Sequence, residues 1–338
     1  MPRNAPALFN LGAREIRVLF HDGRLSEDPY EGSGFDSPAG NTLPDGLRSI
    51  VAAQAMFPVT SETEMAGNPG ENRIAYAAQT DIDRAWDLIA KRVRTIPAYS
   101  EMFLAADPTL ESALEIEMVD IANAIAAFVE AEWRTTDSPF DRHLRGEAPL
   151  TGAAARGMAL FYGEAGCGDC HAGALLSNQR FYALALPHFG PGRTRPFDPY
   201  VRDLGRMGET DRLEDAYRFR TPALRNVALT APYGHNGAYP TLEGIIRHHL
   251  DPLAALEAWD RANARLPEAD WLAGEDFIAM ADRAEQARLR ARIDIAPVAI
   301  TEAEVADLAA FLEALTDEAG AAGRLGRPDT VPSGLPVD

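Results

Sequence analysis

Both cysteines of this 338-residue chain, Cys167 and Cys170, fall in one short stretch, EAGCGDCHAG at 164–173, with His171 directly behind the second. On a helical turn, positions i, i+3 and i+4 share a face, so the two thiols and the imidazole are expected to point the same way. Three chemistries use such a cluster: a covalently attached haem, a zinc site and a redox dithiol. Zinc needs four ligands, and the chain has no second cysteine pair. A thioredoxin-like dithiol needs a βαβ setting, and no strand-like alternation of useful length is present. Two thiols one turn apart can add to the two vinyl groups of a haem, which leaves His171 as proximal iron ligand. That reading is favoured, and a dithiol or metal-binding protein stays as the rival.

The remaining pattern is helical. TDIDRAWDLIAKRVR at 80–94 opens with an N-cap signal and places Ile82, Trp86, Ile89 and Val93 at helical spacing. Residues 45–57 look helical up to Pro58, and residues 110–133 form the clearest amphipathic stretch, with Leu110, Leu114, Met118, Ile121, Ile125 and Phe128 on one face. TTDSPFDRHLRGEAPLTG at 135–152 is polar, carries two prolines and marks the domain boundary. TGAAARGMALFYGEAG at 151–166 then reads as a helix that delivers the cysteine motif. Residues 241–250 and much of 253–292 look helical, and Thr301 with Glu304 forms a capping box for a last helix bearing Val305, Leu308, Leu312 and Leu315. Residues 1–44 and 174–240 are rich in Gly and Pro and read as loop. The fold class expected is all-α with long ordered loops, and loops of that length need a large rigid group to pack on. With 46% hydrophobic residues a sizeable core is available, and the length suggests two domains.

A net charge of −19 argues against nucleic acid, which needs clustered Lys and Arg, and favours a cationic partner. No apolar run approaches a membrane span. The first residues, MPRNAPALFNLGAREIRV, have no apolar core of a signal peptide. Donors for the iron's sixth position lie downstream: Met207, His235, His248, His249 and Met280. His248 and His249 share a predicted helix and point about 100° apart, so only one of them can face the haem.

Several segments, in order, carry a family pattern. RNAPALFN at 3–10, FHDGR at 20–24, QAMFPVTSETEMAG at 54–67, SPFDRHLRG at 138–146, GMALFYGEAGCGDCHAGALLSNQRF at 157–181, DLGR at 203–206 and FRTPALRNVALTAPYGHNGAYPTLEGIIRHH at 219–249 together resemble the bacterial di-haem cytochrome c peroxidases and their MauG-like relatives. The resemblance implies two cytochrome c-like domains, each with a covalent haem c. They would span 1–137 (N-terminal, peroxidatic) and 150–320 (C-terminal, carrying the haem of Cys167, Cys170 and His171), with a loose tail at 321–338. It implies reduction of hydrogen peroxide, or MauG-like oxidation of a protein. Electrons would pass through the C-terminal haem from a small cytochrome c or cupredoxin, or from the protein substrate.

The residues at the family's peroxide pocket are Gln54, Pro58 and Glu64. Glu64 would move a proton between the peroxide oxygens and Gln54 would hydrogen-bond the bound oxygen. Asn4, Thr230 and Pro232 fall at the family's calcium site, where oxygen donors suit the ion. The distal position of the C-terminal haem, Met or Tyr in the family, is His249 here, with His248 as fallback. The chain departs from the pattern in two places. His21 in FHDGR stands where the family usually has the Trp of WDGR, on the route between the haems; Trp86, Trp133, Trp259 and Trp271 do not match that position and read as packing residues. The family's first C-x-x-C-H precedes the segment matched by RNAPALFN, so that motif and the export signal are expected upstream of Met1, in a periplasmic protein with two haems and a possible homodimer. A mono-haem electron carrier without peroxide chemistry is the alternative.

Overall fold

The computed structural model describes residues 3–190, 202–266 and 274–337. They fall into two compact units. One holds residues up to Asn10, Phe20–Arg24 and Thr135–Ala322; the other holds Leu11–Leu19, Leu25–Arg134 and the residues from Gly323. The chain thus changes units at 134/135, close to the polar boundary segment. The first ten residues and the FHDGR stretch group with the C-terminal unit, and the tail groups with the other.

The unit around residues 25–134 is built on helices α1 (Ile50–Ala55), α2 (Arg73–Thr80), α3 (Ile82–Arg94), α4 (Pro97–Ala106) and α5 (Met118–Glu132). A small antiparallel sheet joins them, β1 (Val18–Leu19), β2 (Leu25–Glu27) and β3 (Phe35–Asp36), in that order. Strands of two or three residues are too short to leave an alternation in sequence, so an all-α expectation misses them; the fold is mostly helical. Ser49 caps α1, whose Ile50, Val51, Ala52, Ala53 and Ala55 are all buried. Trp86 on α3 donates its indole N–H to the Met56 carbonyl at 2.8 Å.

The amphipathic stretch expected over 110–133 is helical only from Met118. Glu117 and Asp120 form a capping box there, and it fixes the start. Leu114 sits in a 3₁₀ turn and is 81% exposed. The buried face of α5 is Met118, Ala122, Ala126 and Val129, while Ile125 and Phe128 are 41% and 40% exposed, so the apolar stripe and the packed stripe differ by part of a turn. The tail begins under restraint: the buried Glu132 carboxylate accepts the backbone N–H groups of Arg324, Leu325 and Gly326.

The other unit contains α6 (Pro139–Leu144), α7 (Gly152–Tyr162), α8 (Met207–Thr210), α9 (Leu242–Leu250), α10 (Pro252–Ala258), α11 (Ile278–Ala281), α12 (Arg283–Arg290), α13 (Glu302–Glu313) and α14 (Glu318–Ala321). A two-stranded ribbon pairs β4 (Phe181–Tyr182) with β5 (Phe219–Arg220). The Thr301–Glu304 capping box opens α13 as its sequence demands. Phe311 on α13 is fully buried and meets Phe161 and Phe140 edge to face at 5.1 and 5.3 Å, the centre of the unit's main core. α7 and α13 approach closely at Gly157, where a Cβ would lie 1.9 Å from the Asp307 carbonyl oxygen. We therefore expect Gly157→Ala to destabilise the fold by about 1–3 kcal/mol, the usual cost of overpacking. Urea denaturation measures this, and an unchanged midpoint would refute the close approach.

Candidate haem site

α7 stops at Tyr162, and the chain turns through Gly166, whose φ of +65° suits glycine, into a 3₁₀ turn at Cys167–Asp169. The His171 N–H bonds the Cys167 carbonyl at 2.9 Å, so Cys167, Cys170 and His171 complete one tight turn. Gly168 has no room for a side chain, since a Cβ would meet the Tyr162 ring at 2.8 Å. Neither cysteine is in a disulfide. Burial pushes the Cys167 thiol up to about 11.

His171 lies within 3.0 Å of the Leu176 carbonyl through Nδ1. A carbonyl only accepts, so Nδ1 carries the proton and Nε2 keeps its lone pair. Burial, with His249 alongside, lowers the pKa of His171 to about 4, which keeps the ring neutral near pH 7. His249, on the last turn of α9, has the same arrangement. Its Nδ1 donates to the Ile245 carbonyl one turn back at 2.8 Å, Nε2 is left over, and burial lowers its pKa. The two rings stand 6.4 Å apart, centroid to centroid, and are inclined by 60°. Metal–imidazole bonds of about 2.0–2.1 Å put the centroids of two rings on one ion roughly 6 Å apart. Two neutral imidazoles with unused Nε2 atoms, beside two free thiols one turn apart, are the donor set a covalent haem with two axial histidines requires.

His248 is engaged differently. It is fully buried, with Nε2 2.6 Å from the Leu184 carbonyl and Nδ1 2.7 Å from the Tyr239 hydroxyl. Nε2–H must donate to the carbonyl, so Tyr239 O–H donates to Nδ1. Both nitrogens are spent, and the side chain ties α9 to two neighbouring segments. His248→Phe should cost about 1–3 kcal/mol, because it leaves the Tyr239 hydroxyl and the Leu184 carbonyl unpaired in the interior. The iron should stay low spin. Thermal unfolding together with the visible spectrum reads both, and loss of the low-spin spectrum would shift the ligand assignment by one residue.

The other sulfur and nitrogen candidates lie elsewhere. Met207 and Met280 pack on a separate small core with Leu256 and Leu289. His235 stacks on Phe219 at 3.6 Å, with its Nδ1 unpartnered, and lies 6.2 Å from His188, whose two ring nitrogens are buried without partners.

Asn4 and Pro232 are brought together: the Asn4 amide contacts the Pro232 carbonyl at 2.8 Å, and Thr230 ends the 3₁₀ turn Val227–Leu229 just before. His21 donates from Nε2 to the Asn4 carbonyl at 2.9 Å, and burial lowers its pKa to about 4. The unfolded chain binds a proton on His21 near pH 6.5, and the folded chain only near 4. Stability therefore falls as pH drops through that window. Urea midpoints at pH 7, 5.5 and 4.5 should fall less for His21→Gln than for the natural chain; equal falls would contradict the burial of a neutral ring.

Gln54 lies on α1, Pro58 opens the following 3₁₀ turn at Pro58–Thr60, and Glu64 is exposed in the next turn, Glu62–Ala66. They occupy consecutive segments of one unit. Trp86, Trp133 and Trp259 are packing residues, Trp133 edge to face with Phe128 and Trp259 stacked on Phe189; Trp271 lies outside the described residues. Sequence reasoning missed a buried charge network in which Arg3 pairs with Asp22 and Asp203. Its arginine and aspartates do lie in the RNAPALFN, FHDGR and DLGR segments.

Residues 1–149 match the family described as di-haem cytochrome c peroxidase. The cytochrome c peroxidase Ccp of Escherichia coli is 33% identical over 255 residues, covering 68% of this chain and 51% of that protein. The methylamine utilization protein MauG of Methylorubrum extorquens is 29% identical over 210 residues, covering 61% of this chain and 50% of that protein. Among solved structures, a MauG-like protein associated with microbial copper homeostasis superposes with a TM-score of 0.58 at 26% identity, covering 95% of this chain and 77% of that one. The chain spans about half the length of the curated relatives it matches. Taken with the C-x-x-C-H turn and the facing histidines, these matches show that the chain belongs to the family of di-haem cytochrome c peroxidases and MauG.

Proposed function

We propose that the protein reduces hydrogen peroxide with electrons relayed through a c-type haem held by Cys167, Cys170, His171 and His249. The observation that carries this reading is the pair of neutral, buried imidazoles 6.4 Å apart beside the two free thiols. Bound there, the haem supplies one-electron storage and transfer. Cys167 and Cys170 would hold it covalently and the His171 and His249 imidazoles would ligate its iron, so this site would pass electrons rather than bind peroxide. Two imidazoles hold such an iron at a lower potential than His/Met ligation does, since Met raises it.

Peroxide chemistry falls to the unit carrying Gln54, Pro58 and Glu64. Reduction consumes two electrons and two protons and yields two waters. Glu64 moves the proton from one peroxide oxygen to the other, and Gln54 orients the oxygen pair by hydrogen bonding. Asn4, Thr230 and Pro232 would supply oxygen donors for a calcium ion; the structure brings Asn4 and Pro232 together, with the Asn4 side-chain N–H donated to the Pro232 carbonyl. The reductant is a small cytochrome c or cupredoxin, or a protein that is itself oxidised. The net charge of −19 favours a basic partner. Covalent haem attachment, which takes place outside the cytoplasm, supports a periplasmic location. Among the described residues no helix is long and apolar enough to cross a membrane.

The 338 residues hold one C-x-x-C-H motif, which favours a second reading for them alone, a mono-haem electron carrier. Peroxide turnover by the haem-loaded protein with a reduced cytochrome as donor separates the two. Turnover supports the peroxidase. A haem that takes and gives electrons but never consumes peroxide supports the carrier.

A further inference from the structure

Most enclosed arginines of the C-terminal unit are paired. Arg3 meets Asp22 and Asp203, Arg202 meets Glu285, and Arg225 meets Asp141. Arg220, at the end of β5, differs. Its Nε donates to the Phe20 carbonyl at 3.0 Å and its Nη1 to the Thr221 carbonyl at 3.3 Å. Among the described residues no carboxylate lies within ion-pair distance of it. Burial lowers its pKa to about 10, and among the described residues no acidic group opposes the shift. A guanidinium offers five N–H donors in a planar fork, and here two go to carbonyls while Nη2 has no acceptor among the described residues. An enclosed cation without a counter-charge is costly, so its persistence beside the paired Arg3, Arg202 and Arg225 calls for an anion.

The position of Arg220 says which anion. Two residues on, the Pro222 carbonyl lies against the His171 ring. The intervening Thr221 is pinned by its N–H and hydroxyl to the Arg180 carbonyl. On the ribbon, Phe219 faces His235, and alternation puts the Arg220 side chain on the opposite face. His21, close enough to feel its charge, is neutral and gives no compensation. A haem bears two carboxylates at its edge, and a guanidinium fork matches a carboxylate with two parallel hydrogen bonds.

We propose that Arg220 anchors a propionate of the haem held by Cys167, Cys170 and His171. The inference rests on the haem reading given above. A fixed cation at the haem edge stabilises the reduced, less positive iron, so Arg220 also holds the potential up.

The test is a spectroelectrochemical titration of haem-loaded natural protein, Arg220→Gln and Arg220→Lys, with the propionate bending mode followed by resonance Raman. We expect R220Q to stay low spin with a lower midpoint potential and a shifted propionate band. R220K should restore most of the potential while still shifting the band, because a point charge replaces the fork. If R220Q does not accumulate, the R220K band shift alone decides: an unmoved band contradicts the anchor. A haem-loaded R220Q with unchanged potential and band overturns the inference and leaves the haem reading intact. A natural-protein potential that responds to inorganic phosphate at constant ionic strength, lost in R220Q, assigns Arg220 to a free anion and also overturns it. Natural protein without covalent haem removes the underlying reading and the inference with it.

Discussion

His249→Ala converts the haem-loaded protein from a six-coordinate low-spin spectrum to a high-spin or mixed one. The reason lies in how α9 presents its two histidines. His249 spends Nδ1 on the Ile245 carbonyl and leaves Nε2 over, with its ring 6.4 Å from that of His171, whereas His248 spends both nitrogens on Tyr239 and Leu184. Alanine removes the imidazole that lies against His171 and leaves the packing of α9 in place through His248. With one strong ligand lost, the midpoint potential should rise, because an imidazole favours the ferric iron. Visible absorption and electron paramagnetic resonance on the same sample measure the change. A low-spin H249A protein with an unchanged potential would mean that another residue ligates the iron.

Glu64→Gln should lower peroxide turnover about 10²–10⁴-fold, the range a positioned acid/base supplies. Glutamine keeps the shape and the hydrogen bonding, but it cannot take a proton from one oxygen and return it to the other. The loss should fall on kcat more than on KM, and the spectrum of the His171 haem should not change, since Glu64 belongs to the other unit. Steady-state assays with a reduced cytochrome donor, across a range of peroxide concentrations, give both constants. Unchanged turnover would remove Glu64 from the chemistry.

Much of this site could be read from residues alone. Cys167, Cys170 and His171 announce their turn by spacing, and Thr301–Glu304 announces α13 by capping chemistry. The choice of His249 over His248 could not be read from the pattern of the helix, because it depends on what Tyr239 and Leu184 offer from outside α9. The face of α5 was misread for a similar reason. Small residues, Ala122 and Ala126, are the ones packed against neighbours, and bulk alone pointed to Ile125 and Phe128. Leu110 and Leu114 carried the helical period beyond its true start because period does not register a cap formed by Glu117 and Asp120. The short strands were invisible for want of length, although β5 positions Arg220. Burial of Arg220 without a carboxylate is likewise a property of three-dimensional neighbours: its sequence setting, FRTP, shows a cation and nothing of its surroundings.

The most direct measurement is the mass of the tryptic peptide spanning Gly157 to Arg180 from protein purified from its native source. It contains both cysteines and His171. The account predicts this peptide carrying the mass of one haem, with no thiol left to alkylate. A peptide of unmodified mass with two alkylatable thiols, or with a disulfide between Cys167 and Cys170, would contradict it.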